Sequence, residues 1–449
     1  MATTERGSAE ERVAAIHDAG VDRVRVHFTD LMGVSRNKVV PVSMLDEVCE
    51  DGINFCISAF CVDHAGEVIE GTGLGAEVGF RDANARPDLS TLTVVPWERD
   101  TAIAIGDVYF DGELLSASPR QLLKRAVAEL ESRGFRAVAG HELEFFLLRP
   151  VTSGSGYEQY AKQPGLVYTL SPSVDTEGVL REMEDAVRAM GLPYVGSNQE
   201  YFGSQWEINL RYDDALKAAD DAHLFKLAVK EIAAKHGLVA TFMGKPVQEL
   251  GTSGYHLHLS LWDEDGEPAF HDPEASDGLS DVCRWFLAGQ LEHARGMTAI
   301  MAPTINAYKR FLAQAFGPWN VTWGHDNRTV YARVPQERGK ATRIENRAGD
   351  GTANAYLASA AALFAGIDGI DRQLDPGEPV DGVSYELEDR ELMPFSLGEA
   401  LDALEQDAFF TETLGAQFVQ AFVAMKRSEV SRFQSAVTDW ELNEYVNVL

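Results

Sequence analysis

Positive charge is scarce in this sequence. Of 449 residues, 39 are Lys or Arg and 70 are Asp or Glu, giving a formal net charge of −31. A body this acidic repels a phosphate backbone, which excludes sequence-independent nucleic-acid binding and disfavours an anionic membrane surface. Cysteine is scarce too. Cys49, Cys56, Cys61 and Cys283 lack a CxxC spacing, so neither a disulfide framework nor a zinc site is expected. No window approaches the roughly 18 apolar residues of a membrane span. The start, MATTERGSAEERVAA, lacks the basic residues and apolar core of a signal peptide. A soluble, cytoplasmic protein is expected. No GxxxxGK[ST] loop and no GxGxxG in a strand context is found, so P-loop and dinucleotide binding are unsupported.

What is present is an ordinary globular composition, 45% hydrophobic and 24% charged, long enough for a large core. The charge is uneven. Residues 306–350 hold eight basic residues against four acids, a local +4 that leaves −35 for the rest. Such a segment suits a small anionic ligand, or a solvated loop of ion pairs.

Periodicity predicts a helix from Glu5 to Ala19 and a strand from Val21 to Phe28. Short strands and glycines follow to Trp97. Ser118-Pro119 opens a helix running to about Arg133, with Ser as N-cap and Pro as first helical residue. Further helices are expected at about 215–236, 278–299 and 353–371, with a helical tail from 396 onward. The expected fold class is α+β, divided into a small β-rich unit over 1–111 and a large unit over 112–449.

Six motifs carry chemistry. Glu142 and Glu144 are two apart, so on a strand they share a face. Four apolar residues follow them, which argues for a buried strand and for a cation between the carboxylates; Mg²⁺ or Mn²⁺ suits an oxygen-rich site. The alternative is a solvated strand face. Glu200 and Glu207 flank a turn expected at Gly203-Ser204. His256 and His258 share a strand face after the Gly-rich stretch Gly251-Thr-Ser-Gly254. Arg310 closes Ala-Tyr-Lys-Arg, and Arg328 and Arg333 follow. Lys340, Arg343, Glu345 and Arg347 end the basic segment. The alternation of Arg343, Glu345 and Arg347 fits a surface ladder, or a pocket gripping carboxylate and phosphate.

Taken in order, together with Phe28-Thr-Asp-Leu-Met-Gly33, Asp88-Leu-Ser-Thr-Leu92 and Pro96-Trp97, these motifs resemble the glutamine synthetase superfamily along the whole chain. The resemblance implies a β-grasp N-terminal domain and a catalytic domain on a curved antiparallel sheet. It implies a homo-oligomer, a dodecamer of two stacked hexamers with sites between neighbouring subunits. It implies an ATP-dependent ligase (EC 6.3.1) in which glutamate attacks the γ-phosphate of ATP and an amine attacks the resulting γ-glutamyl phosphate. Two or three divalent ions serve each site. Glu144, Glu200 and Glu207 match ligands of one ion, and Glu142, His256 and Glu345 ligands of a second. Glu207, His258, Ser260, Arg333, Lys340 and Arg343 match nucleotide and phosphate contacts. Arg328 and Arg333 match the arginines that neutralise the transferring phosphoryl group, with Glu200 also catalytic. Arg310, Arg347, Glu144, Gly251 and Tyr168 match substrate contacts.

The departures concern the amine. Ammonium users carry an Asp in a Phe-Asp-Gly-Ser-Ser motif and a loop Glu six residues after the Arg of Tyr-Lys-Arg. Here Cys56 stands at the first position, in Phe55-Cys-Ile-Ser-Ala59, and Phe316 at the second. Two acids become a thiol and an aromatic, which favours an organic monoamine over ammonium. Gly251-Thr252 stands where the family has Asn-Gly. Tyr385 lies in Val-Ser-Tyr-Glu-Leu, unlike the family's adenylylation context. The expected activity is γ-glutamyl amide synthesis from an organic monoamine. Ammonium-dependent glutamine synthetase is the alternative, and a non-catalytic ring-forming relative or an amino-acid sensor stands further off.

Overall fold

The computed structural model describes residues 7–153, 156–161, 167–171, 173–311 and 317–449. Two sheets organise them. The first uses β1 (Arg23–Thr29), β2 (Ser35–Pro41), β3 (Ile53–Cys56), β4 (Asp82–Val94), β5 (Thr101–Phe110) and β6 (Glu113–Leu114). Their order is β2-β1-β5-β4-β3, with β6 on β5. β1 and β5 run parallel and the other pairs antiparallel. β1 buries six consecutive residues, the pattern of a strand covered on both faces.

The second sheet has ten strands: β7 (Phe135–Pro150), β8 (Tyr157–Gln159), β9 (Tyr194–Gln199), β10 (Gln205–Leu210), β11 (Asp213–Asp214), β12 (Val239–Thr241), β13 (Tyr255–Asp263), β14 (Trp323–His325), β15 (Ala332–Val334) and β16 (Ile344–Gly349). The order is β14-β15-β16-β13-β7-β10-β9, and β8, β11 and β12 also pair with β7. All pairs except β14–β15 are antiparallel. At 16 residues, β7 is the hub of this sheet.

Behind it lies the helix Ala355–Arg372, buried on every side from Ala355 to Gly369. An all-round apolar helix belongs at the centre of a large core. Its close partner is the helix Asp281–Glu292. A Cβ on Gly289 would stand 2.0 Å from the carbonyl oxygen of Ala365, and one on Gly369 2.0 Å from that of Trp285. The two backbones touch there because neither residue has a side chain.

The first sheet is tied to the helices by a buried polar knot. Arg120, 3% exposed, bonds to Asp88 of β4 at 2.8 Å, to Asp107 of β5 at 2.7 Å and to Asp220 at 2.9 Å. Asp220 lies on the helix Ala215–Lys235 and also accepts a bond from the Tyr356 hydroxyl at 2.7 Å.

The helix expected over 278–299 is two helices, Asp281–Glu292 and Ala294–Met301. His293 breaks it, with φ −97° and ψ 8°, and its ring bonds to Asp368 and Asp407 at 2.9 and 2.7 Å. The tail is helical as expected and is made of four helices, with Gly415 at φ +91° ending one and starting the next. Ser118 stands at the N-cap before Pro119 as expected, but its hydroxyl makes no capping bond. The first helix is Ala9–Asp18, and residues 1–6 lie outside the described residues. Among the described residues no helix is long and apolar enough to cross a membrane.

Candidate active site

The carboxylates meet where β7 is flanked by β10 and β13. Glu144 stands opposite Glu207 of β10, and Glu142 opposite His256 of β13. Next along, His258 stands opposite Glu345 of β16, and Glu345 opposite Arg333 of β15. Antiparallel register therefore lines up these residues across five neighbouring strands. The face they share is enclosed: Glu207 is 7%, His256 6% and Glu345 1% exposed. A solvated strand face and a surface ladder are both excluded by that burial.

On the β10 side the acids are crowded. Glu144 Oε2 accepts bonds from the Gly254 amide at 2.7 Å and from Gln205 Nε2 at 2.8 Å. Burial and the neighbouring Glu200 still push its carboxyl up to about 7. Glu207 is pushed well above the usual carboxylate range by burial and by Glu142, Glu144 and Glu200. Glu200 is raised by burial and Glu142, although Asn198 donates to it at 2.7 Å. Ser204 at the turn between β9 and β10 has φ +64°, which lets the chain reverse within the expected Gly203-Ser204 step.

On the β16 side the charges are balanced. Glu142 bonds His256 Nδ1 at 2.7 Å and His258 Nε2 at 3.3 Å. Glu345 pairs with Arg333 at 2.5 Å and with Arg347. Burial opposes ionisation of Glu345, but Arg347 and the two histidines outweigh it and hold the carboxyl at about 2. Arg343 precedes β16 rather than lying within it, and donates to His258 Nδ1 at 3.3 Å.

Arg310 and Arg347, 2% and 4% exposed, are buried with Nε free of any partner. Two guanidinium N–H groups held dry and unpaired suit an arriving carboxylate. Arg310 also donates to the carbonyl of Gly349. Arg328 is exposed and lies electrostatically close to Glu200 and Tyr168. Tyr168 is 72% exposed at φ +62°. Ser260 is half-buried on β13, and Lys340 is exposed in the 3-10 turn Gly339–Ala341. Gly251 lies against Phe202. Cys56 does not join the cluster: it is exposed at the end of β3, with Sγ 3.0 Å from Ser58 Oγ. Phe316 lies outside the described residues.

Sequence reasoning missed Gln205, whose amide ties Glu144 to the carbonyl of Thr252 at 3.1 Å. Its signal was its place two residues before Glu207. Asp326, paired with Arg333 at 2.5 Å, was counted as charge only.

Does this donor set fit divalent ions? Among the described residues no three His, Cys, Asp or Glu side chains surround one point. Glu142 and Glu345 are turned onto histidines and arginines instead. The chemistry of the set nevertheless fits. Three buried carboxylates hinder one another's ionisation, and a hard cation among them would remove that penalty.

The pattern for the glutamine synthetase catalytic domain matches residues 116–445. This chain belongs to the glutamine synthetase family. It is 36% identical over 444 residues to a glutamate–isopropylamine ligase of a Pseudomonas species, covering 97% of each chain. It is 35% identical over 461 residues to a glutamine synthetase of Methanocaldococcus jannaschii, covering 98% of each. Among solved structures the ADP complex of GmaS superimposes with a TM-score of 0.86 at 33% identity, covering 97% of this chain and 99% of that one. The α+β fold, with its curved antiparallel sheet, is the family's fold, and the protein is an ATP-dependent ligase. Family enzymes use ATP and divalent metal ions.

Proposed function

We propose that this ligase joins glutamate to an organic monoamine through γ-glutamyl phosphate. Arg310 and Arg347 hold the acid by its carboxylates. The γ-carboxylate oxygen attacks the γ-phosphorus of ATP, and ADP leaves. The amine nitrogen then attacks the γ-carbonyl carbon, phosphate leaves, and the amine's proton passes to Glu200. Arg328 and Arg333 offset the charge that builds on the transferring phosphoryl group. Glu207, His258, Ser260, Lys340 and Arg343 serve the nucleotide, while Gly251 and Tyr168 line the substrate side. Mg²⁺ or Mn²⁺, two or three ions to a site, would neutralise phosphate oxygens. Glu144, Glu200 and Glu207 would hold one ion, and Glu142, His256 and Glu345 another.

The observation that carries the organic amine is Cys56, an exposed thiol where ammonium users resembling this chain carry an acid. Phe316 extends the same trend in sequence. Without those acids, ammonium loses electrostatic attraction, and an alkyl, hydroxyalkyl or aromatic body gains apolar surface. We place 1–111 as a β-grasp unit and 112–449 as the catalytic unit. Since the Cys56 thiol bonds to Ser58 and Phe80 rather than to its own chain's carboxylates, it would complete a neighbour's site in a dodecamer of stacked hexamers. A cytoplasmic setting accords with four unpaired thiols.

The test is phosphate release with glutamate, ATP and Mg²⁺ against methylamine, isopropylamine, ethanolamine, aniline and ammonium. An organic amine should give the highest kcat/KM. Ammonium surpassing all of them would restore the glutamine synthetase reading.

A further inference from the structure

Gly251 is empty so that Phe202 can be full. A Cβ at Gly251 would stand 1.9 Å from Phe202 Cε2 and 2.1 Å from Cζ. The aromatic ring thus fills the volume that any side chain at 251 would take. It joins two loops that border the carboxylates. One is the reversal 200–205, closed by Glu200 N to Gln205 O at 3.0 Å and Gln205 N to Phe202 O at 3.2 Å. The other is 244–254, drawn together by Ser253 N to Gly244 O at 2.7 Å. Gln205 Nε2 links them, bonding both Glu144 and the carbonyl of Thr252, the residue after Gly251.

The ring is only half-buried, so part of its surface stays open, two residues along the reversal from Glu200. Tyr201 precedes it in the chain, and Tyr168 lies electrostatically near Glu200 and Tyr201. Aromatic surface rimmed by carboxylates is the chemistry that recognises an organic ammonium group. The 244–254 loop also reaches the acid-binding end: a Cβ at Gly244 would stand 2.9 Å from Arg310 Cδ.

We propose that Phe202 is a specificity-determining residue whose ring contacts the ammonium group of a substrate, with Glu144 and Glu200 supplying countercharge. The inference rests on the carboxylate–amine ligase reading. Two substrates bring such a group, the α-ammonium of glutamate and the protonated amine.

The test uses full-length enzyme with Phe202→Leu, which keeps apolar volume and loses the aromatic face, and Phe202→Tyr, which keeps both. KM is measured for glutamate, methylamine, isopropylamine and ATP, with kcat and the melting temperature. Phe202→Leu should raise KM for one ammonium-bearing substrate roughly threefold to thirtyfold. KM for ATP and the melting temperature should stay unchanged, and Phe202→Tyr should behave as wild type. A rise confined to glutamate assigns the ring to the α-ammonium, and one confined to the amines assigns it to the nucleophile. Wild-type KM for both substrates in the Leu variant overturns the proposal. So does a rise shared by ATP with a fall in melting temperature, the mark of a merely structural ring. Failure of the organic-amine reading shows separately, as a wild-type preference for ammonium, and leaves the glutamate measurement decisive for Phe202.

Discussion

Glu144→Gln should make the metal-free protein more stable and the metal-loaded protein weaker. In the folded chain the Glu144 carboxyl is pushed up to about 7 from an ordinary 4.5, first by burial and then by Glu200. A raised carboxyl pKa means the folded state holds its proton longer than the unfolded state does. Stability from this residue is therefore fully present below the unfolded value and is lost as pH rises through the folded one. The loss amounts to about 3 kcal/mol by pH 8. Gln cannot ionise, and its amide oxygen can still accept from Gly254 and Gln205 (2.7 and 2.8 Å in the native chain). In EDTA at pH 8 the variant should melt above wild type, and the gap should close toward pH 5.5. Mg²⁺ at about a hundred times its Kd should stabilise wild type by about 2.7 kcal/mol and the variant by less. Thermal melts with and without Mg²⁺ at the two pH values give all four numbers. A variant that melts at or below wild type in EDTA at pH 8 would refute the crowding argument. So would a gap independent of pH.

Three further outcomes follow from other parts of the molecule. Arg120→Ala leaves three aspartates without their shared cation, Asp220 among them buried, and should cost about 3–5 kcal/mol in urea unfolding; a midpoint within error of wild type would count against the knot. Gly251→Ala should cut activity sharply by displacing the Phe202 ring, and adding Phe202→Ala in the same chain should cost little more; additive losses would show that the two do not share one space. Burial works to lower the His293 pKa, but bonds to Asp407 and Asp368 outweigh it and raise it. Its stabilisation is present below the unfolded pKa near 6.5 and fades as pH rises through the higher folded value. The urea midpoints of wild type and His293→Asn should therefore lie further apart at pH 6 than at pH 9.

Much of the site was legible because it is written in period two. Glu142 with Glu144, and His256 with His258, had to share faces once the segments were strands. What the sequence could not show was which strands would be neighbours. The pairing of Glu144 with Glu207 and of Glu142 with His256 spans 63 to 114 residues and depends on sheet order. Long apolar helices such as Ala355–Arg372 were readable from composition. The break at His293 was not, because its cause is a pair of aspartates far along the chain. Gln205 and Phe202 escaped notice for a different reason. Each acts through a partner, Thr252 or Gly251, whose own side chain gives no chemical signal. The departure at Gly251 was visible in sequence, but its meaning as room for a ring required the fold.

The hub strand β7 has a consequence for how this protein can change. Its five partners, β8, β10, β11, β12 and β13, each fix its register separately. Deleting one residue ahead of Glu142 would turn both carboxylates to the opposite face, and every pairing would resist the slip. The strand therefore works like a reading frame: substitutions along it can be sampled one at a time, whereas a change of length shifts the whole message. Alteration by insertion and deletion is left to the connections at the sheet's rim, such as the turn between β13 and the helix Asp281–Glu292. In this fold the clustered acids and the freedom to vary chain length occupy separate places.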